Sequence, residues 1–308
     1  MTAGAADGAV QATVAQVAVD DAQDTEAATE RRRRPPSEAR RGVAWRVLIA
    51  AVVAVIVIFP LYWMLVVAFS PRGEVFEPGL HLWPSTFTFE NFAGILADYP
   101  VVTWFGNSLV IGVIVTVVTV AVNLLAGYAF ARLPFRGRSA IFLLCLATMM
   151  IPVQAIMVAQ FRLISGLGIF GTFWGVILPA AAAAFGIFLA RQFFLSIPEE
   201  LIEAALVDGA GRLRIFLQVV LPLSRPLIAV LTLLTFLGAW NDFAWPLIAL
   251  KDNELFTLPI GMLYLKNQTT PDYNSIMALA LISVIPMVLL FLLFQRYFVQ
   301  GFSRAGIR

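Results

Sequence analysis

The 308-residue chain has only two lysines, Lys251 and Lys266, one histidine, His81, and one cysteine, Cys145. Each scarcity excludes something. A single cysteine rules out an intrachain disulfide, and its simplest role is a small buried side chain. A single histidine rules out a multi-histidine metal site and reads as an interfacial loop residue. Phosphate-loop ATP hydrolysis needs a lysine in G-x-x-x-x-G-K-[ST], and no such stretch is present. No nucleophile, base and orienting group suit an intramembrane enzyme either, so the chain reads as non-catalytic. Charge is scarce too, at 13% against 60% hydrophobic residues, whereas soluble domains carry about 25% and about 45–50%.

What is present falls into apolar runs of about 20 residues, the length that crosses a hydrocarbon core. Six qualify: Val47–Ala68, Ser108–Phe130, Ile141–Gln160, Thr172–Ala190, Leu227–Leu250 and Ile276–Phe298. The expected fold is therefore all-α, a polytopic membrane protein with six transmembrane helices. Arginines set its direction. They gather before the first run (Arg31–Arg34, Arg40, Arg41, Arg46) and between the second and third (Arg132, Arg136, Arg138). They recur between the fourth and fifth (Arg191, Arg212, Arg214, Arg225) and at the end (Arg296, Arg304, Arg308). Both termini are expected in the cytoplasm. Residues 1–45 read as a disordered cytoplasmic tail without a signal peptide, and 46–308 as the transmembrane domain. Facing the other side, "TFTFENF" from Thr86 to Phe92 suits a short interfacial segment. The small residues of "GTFWG" and Ala180–Ala184 suggest a fourth helix packed inside a bundle.

Polar residues within apolar runs are costly in lipid and become candidates for a solute path. They are Asn123, Gln154, Asn241 and Asp242, with Trp240 (and Trp245) offering flat faces to a sugar ring. The plain alternative is that Asn241, Asp242 and the tryptophans hold helices together or mark the interface.

One stretch is amphipathic, from about 196 to 225, between the fourth and fifth runs. Ser196-x-x-Glu199 reads as a capping box with Pro198 in the first turn. Leu201, Ala204, Ala205 and Asp208 fall at helical spacing, and Gly209 suits a left-handed helix end. Arg212–Val220 reads as a second helix ending near Leu221-Pro222. The result is a cytoplasmic helical hairpin. Its acids and alanines suit a protein groove better than a lipid surface, where basic residues and large apolar ones are usual. An ordinary linker lying on the membrane is the alternative.

"EAALVDG" (Glu203–Gly209), then nine residues, then Val219-Val220-Leu221-Pro222, resembles the EAA signature of binding-protein-dependent ABC importer permeases, with Val219 in place of isoleucine. "NSLVIG" (Asn107–Gly112), "AGYAFARLPFRGR" (Ala126–Arg138), "AWNDFAWPL" (Ala239–Leu247), "TLPIGM" (Thr257–Met262) and "QRYFVQGF" (Gln295–Phe302) are similar to the carbohydrate-uptake permeases. The likeness is greatest to the smaller permease subunit of maltose-type transporters, over residues 45 to 308. The terminal "SRAGIR" departs from the family's usual ending. The resemblance implies a bacterial plasma-membrane complex of two permease subunits, an ABC ATPase dimer and an extracytoplasmic sugar-binding protein, in membrane lipid and with no nucleic acid. ATP and Mg would sit on the partner ATPase, and this subunit would bind no cofactor. The hairpin would be the coupling helix, with Glu203, Ala204, Ala205, Asp208, Gly209, Leu221 and Pro222 at the ATPase contact. Other small polar solutes, a polyamine or a sugar phosphate, remain open, and an ion-coupled secondary transporter is poorly supported by spans nearly bare of ionisable groups.

Overall fold

The structure is a computed structural model and describes residues 36–79, 82–266 and 272–305. The tail up to residue 35, His81 and Arg308 lie outside these residues. The chain divides into two compact units, Met1–Tyr62 and Trp63–Arg308. The described elements are helical. The helix α1 (Pro36–Phe69) is followed by α2 (Glu90–Asp98) and the long α3 (Val101–Arg132). Next come α4 (Arg138–Ala147), α5 (Val153–Gly166), α6 (Phe173–Ile177) and α7 (Ala184–Leu195). The hairpin region holds α8 (Glu199–Val207) and α9 (Arg212–Leu223). Then follow α10 (Arg225–Asn241), α11 (Ala244–Ala249), α12 (Leu258–Lys266) and α13 (Tyr273–Ala305).

Among the described residues, three stretches are single helices long and apolar enough to cross a membrane: Val43–Phe69, Val101–Arg132 and Tyr273–Gln295. Two more would be spans only as bent pairs, which differs from six continuous helices. The expected third span is broken between Met150 and Val153, with a bend of 106°. Pro152 is the cause: it has no N–H to give to residue 148, and it holds Ile151 extended, at φ −92 and ψ 118. The expected fourth span is two pieces, α6 and α7. The alanine run expected inside a helix is irregular backbone from 178 to 183, where Pro179 interrupts the pattern. The expected fifth span ends its long helix at Asn241, and α9 meets α10 at a 79° bend.

Within Trp63–Arg308, α3 is the central strut, packed along α7 and α10. Its contact with α7 depends on Gly127, because a Cβ there would run into the Cβ of Ala190 and stand 3.0 Å from the Arg191 nitrogen. Helix backbones approach this closely only at small residues. At the Val101 end, Trp104 is fully buried, donates from Nε1 to the Asn253 carbonyl (3.1 Å), and lies flush against Gly261. Asn107 donates to the Glu254 and Phe256 carbonyls, and Ser108 accepts from the Leu258 N–H at 2.7 Å. The "NSLVIG" and "TLPIGM" stretches thus clasp each other. Nearby, the amides of Asn91 and Asn274 donate to carbonyls between Val67 and Pro71, capping the end of α1.

Candidate functional site: a pinned hairpin and a polar cavity on one helix

The amphipathic stretch is a hairpin, with a different start from the one expected. Ser196 donates its hydroxyl to the Phe193 carbonyl (2.7 Å), closing α7, and no side chain caps α8, whose N-cap position is Pro198. Its C-terminus follows the pattern well. Gly209 has φ 75, its N–H donates to Leu206, and the Ala210 N–H reaches back to the Ala205 carbonyl at 2.9 Å. That pair of bonds is a Schellman closure, which needs a residue free to enter the left-handed region. The second arm outruns its expected end. It begins as α-helix, widens to a π-helical turn over Phe216–Val220, and continues through Leu221–Leu223. Pro222 offers no N–H to Gln218, so a plain α ladder would be interrupted there, and the wider turn absorbs the gap.

One side of this hairpin is inside the protein. Ile202, Ile215, Phe216 and Val220 join Tyr128, Phe194 and Leu227 in one apolar cluster. Ala205 packs against that cluster, so it faces the molecule's own core rather than outward, while Glu203, Ala204, Asp208, Gly209 and Pro222 are exposed and Leu221 is half-buried. Val207, near the turn, is 88% exposed.

The last turns of α3 hold the base of the hairpin. Arg132 donates from Nε (3.1 Å) and Nη2 (2.7 Å) to the Phe194 carbonyl and from Nη2 to that of Ile197 (2.5 Å). The Tyr128 hydroxyl donates to the Arg212 carbonyl at 3.3 Å, and its ring lies 4.9 Å from that of Phe216. Arg191 donates to the Phe130 carbonyl and stands 4.4 Å over the Phe142 ring. Arg132 entered the sequence reading only as a positive charge. Its position within "AGYAFARLPFRGR" was the available signal.

Halfway along α3 the surroundings change. A cavity of ≈ 330 Å³ is lined by Thr119, Asn123, Ala183, Gly186, Thr235 and Asp242, among others. The irregular backbone between α6 and α7 forms part of its wall, held by two bonds from α3. Thr119 donates to the Ala180 carbonyl (2.6 Å), and Asn123 Oδ1 accepts from the Ala183 N–H (3.1 Å). Non-helical backbone at membrane depth survives where it is packed in protein or lines a cavity. Asn123 is 1% exposed and presses on Gly186, and its Nδ2 has no partner among the described residues.

The structure brings two of the five path candidates to this cavity, Asn123 and Asp242. The other three do not line it. Trp240 is core, 1% exposed, stacked on Phe236 and donating to the Ser283 carbonyl. Asn241 is exposed and donates to Leu237 in its own helix, so it does not pair with Asp242, which accepts instead from the Trp245 N–H at 3.4 Å. Gln154 is exposed on α5. Trp245 is a packing residue, buried and bonded to the Gly175 carbonyl. Thr119 and Thr235 were missed, since threonine inside an apolar run carries no distinguishing pattern.

Residues 123–304 match the family described as "Binding-protein-dependent transport system inner membrane component". The chain belongs to that family. It is a multi-pass ABC-importer permease of the plasma membrane, and its family works with a separate ATPase. Among curated relatives, the arabinooligosaccharides transport system permease protein AraQ of Halalkalibacterium halodurans is 37% identical over 86% of this chain and 97% of its own length. The sn-glycerol-3-phosphate transport system permease protein UgpE of Yersinia pestis is 34% identical over 86% and 97%. A crystal structure of a bacterial ABC transporter involved in the import of the acidic polysaccharide alginate contains a chain of the same fold. It has a TM-score of 0.76 and 24% identity, over 86% of this chain and 98% of that one.

Proposed function

We propose that this chain is one of the two permease subunits of an ATP-driven carbohydrate importer, and that its hairpin docks on the ATPase. In this reading both termini are cytoplasmic, the chain crosses the membrane six times with the bent α4–α5 pair, the α6–α7 segment and the α10–α11 segment counted as spans, and the hairpin, α9 included, faces the cytoplasm. The partners are a second permease subunit, an ATPase dimer and an extracytoplasmic sugar-binding protein. The observation that carries the docking role is the hairpin itself: a pinned base, a Schellman turn at Gly209, and an exposed tip bearing Val207. Glu203, Ala204, Asp208 and Gly209 would meet the ATPase, whereas Ala205, Leu221 and Pro222 shape the hairpin. Ala204→Trp is expected to keep the subunit in the membrane but strip the ATPase from the purified complex. Retention of the ATPase at wild-type level would overturn the docking role.

Carbohydrate as cargo is supported by the arabinooligosaccharide permeases among the relatives, at 37% and 34% identity. The glycerol-3-phosphate permeases at 34% favour a second reading, a sugar phosphate. A maltose-type assignment within the class rests on the quoted motifs alone. Cells lacking the gene, assayed for uptake of radiolabelled arabinotriose and sn-glycerol 3-phosphate, separate the two. Loss of arabinotriose uptake alone supports the first reading, and loss of glycerol 3-phosphate uptake alone assigns the second.

A further inference from the structure

We propose that Arg132, with Tyr128 one turn before it, is the positioning residue that passes movement of the hairpin into α3, and along α3 to the irregular backbone beside the cavity. The proposal rests on the docking role of the hairpin, and three observations carry it.

The first is where the guanidinium sits. Arg132 ends α3, and its donors take the carbonyl of Phe194, in the last turn of α7, together with that of Ile197, in the link to α8. One planar group therefore spans the joint between a buried helix and the hairpin. A lysine is a single point charge and lacks the flat fork that meets two carbonyls at fixed angles. No carboxylate competes for Arg132, since the one ion pair among the described residues is Arg72–Asp272. The second observation is that the other arm is held by the same helix end. Tyr128 donates to Arg212, the first residue of α9, and its ring packs on Phe216. Both arms of the hairpin are thus fastened to the final turns of α3, and a push on the tip has that helix as its lever.

The third is what lies further along the lever. Thr119 is thirteen residues before Arg132 on an unbroken helix, so about 20 Å away at about 1.5 Å per residue. Thr119 and Asn123 hold Ala180 and Ala183, the break between α6 and α7 and a wall of the cavity. A stiff helix fixed at one end to a moving hairpin and bonded midway to irregular backbone carries displacement from one to the other. Coupling of this kind requires an element with two arrangements that both sites bias. The break at 178–183, irregular and bonded to α3, is the segment the proposal assigns to that role. A guanidinium that merely capped α7 would stabilise the fold without linking these events, and the test separates the two.

The complete complex, with partner permease and ATPase, is prepared on a Cys145→Ala background, and nitroxide labels are attached through Ala182→Cys and Gly238→Cys, one on the irregular backbone and one on α10, both lining the cavity. The distance between labels is measured without nucleotide and after trapping with ATP, Mg and orthovanadate. In the otherwise wild-type complex the distribution is expected to shift on trapping. Arg132→Gln is expected to retain the ATPase and basal ATP hydrolysis within twofold, while the shift falls to less than a third. Arg132→Lys is expected to restore part of it. Tyr128→Phe, which keeps the ring, provides a milder lesion if Arg132→Gln does not assemble, with an expected loss of about half the shift. A wild-type shift in Arg132→Gln, or in Tyr128→Phe where that variant is the one read, overturns the positioning role. Ala204→Trp runs in parallel: if it keeps the ATPase and its stimulation, the docking reading itself has failed, whatever Arg132 does.

Discussion

The two halves of α3 meet unlike surroundings. Around Tyr128 and Arg132 the polar groups are committed to backbone carbonyls, aromatic rings fill the space between, and a glycine admits the neighbouring helix. Around Thr119 and Asn123 the same helix faces a cavity and an interrupted helix, and the Asn123 Nδ2 has no partner among the described residues. An unsatisfied buried polar group costs about 1–3 kcal/mol. The hairpin end of α3 is thus closed and bonded throughout, while its middle borders open volume and non-helical backbone.

The sharpest way to break this comparison uses one glycine from each region. Gly127→Ala puts a methyl group into the Ala190 Cβ and within 3.1 Å of the Ala190 carbonyl carbon, so two helix backbones have to separate. Overpacking of this kind costs about 1–3 kcal/mol. Gly238→Ala, on the cavity wall in α10, meets nothing within 4 Å, and alanine is the better helix former by about 1 kcal/mol. Thermal unfolding of the detergent-purified complex is expected to fall sharply for the first variant and to hold or rise for the second. Equal losses would mean that the hairpin end is no more tightly packed than the cavity.

A smaller effect is expected at the break. Asn123→Ala removes the acceptor for the Ala183 N–H but also the unpartnered Nδ2, so the two changes oppose each other. The net loss is expected near 1 kcal/mol. Uptake is expected to fall by more than that stability loss explains, because the wall of the cavity loses its tether. Uptake kinetics and unfolding temperature, measured on the same preparation, check this; proportional losses would make Asn123 a packing residue only.

How far the sequence could be read depends on which force decides each element. The apolar runs of α1, α3 and α13 announced themselves because length and hydropathy suffice there. The hairpin was legible because Gly209 and the pattern before it obey local rules of helix ending, and Gly209 does adopt φ 75. The breaks were not. Pro152 and Pro179 were visible as residues, but whether proline kinks or ends an apolar helix depends on what re-satisfies the freed backbone. At the Pro179 break those partners, Thr119 and Asn123, lie about 60 residues away in sequence. The path candidates divide the same way: Asp242 and Asn123, picked out by polarity in an apolar run, line the cavity, while Trp240 looked available to a ligand until its packing against Phe236 became visible.

The smallest expected effect is at Asp242. Its Oδ1 accepts from the Trp245 N–H, bridging the end of α10 to the start of α11, and the residue also lines the cavity. Asp242→Asn keeps an acceptor oxygen of the same reach and removes only the charge, so assembly and maximal uptake rate are expected within twofold of wild type. Asp242→Ala removes the bridge as well and is expected to lower the maximal rate further, with little change in apparent affinity. That ranking follows if the carboxylate holds two helices in place. If Asp242→Asn instead left the maximal rate intact and weakened apparent affinity for the transported solute tenfold or more, the charge itself would be a ligand contact. The cavity half of α3 would then be part of the solute path, and the contrast with its pinned end would be one of chemistry as well as packing.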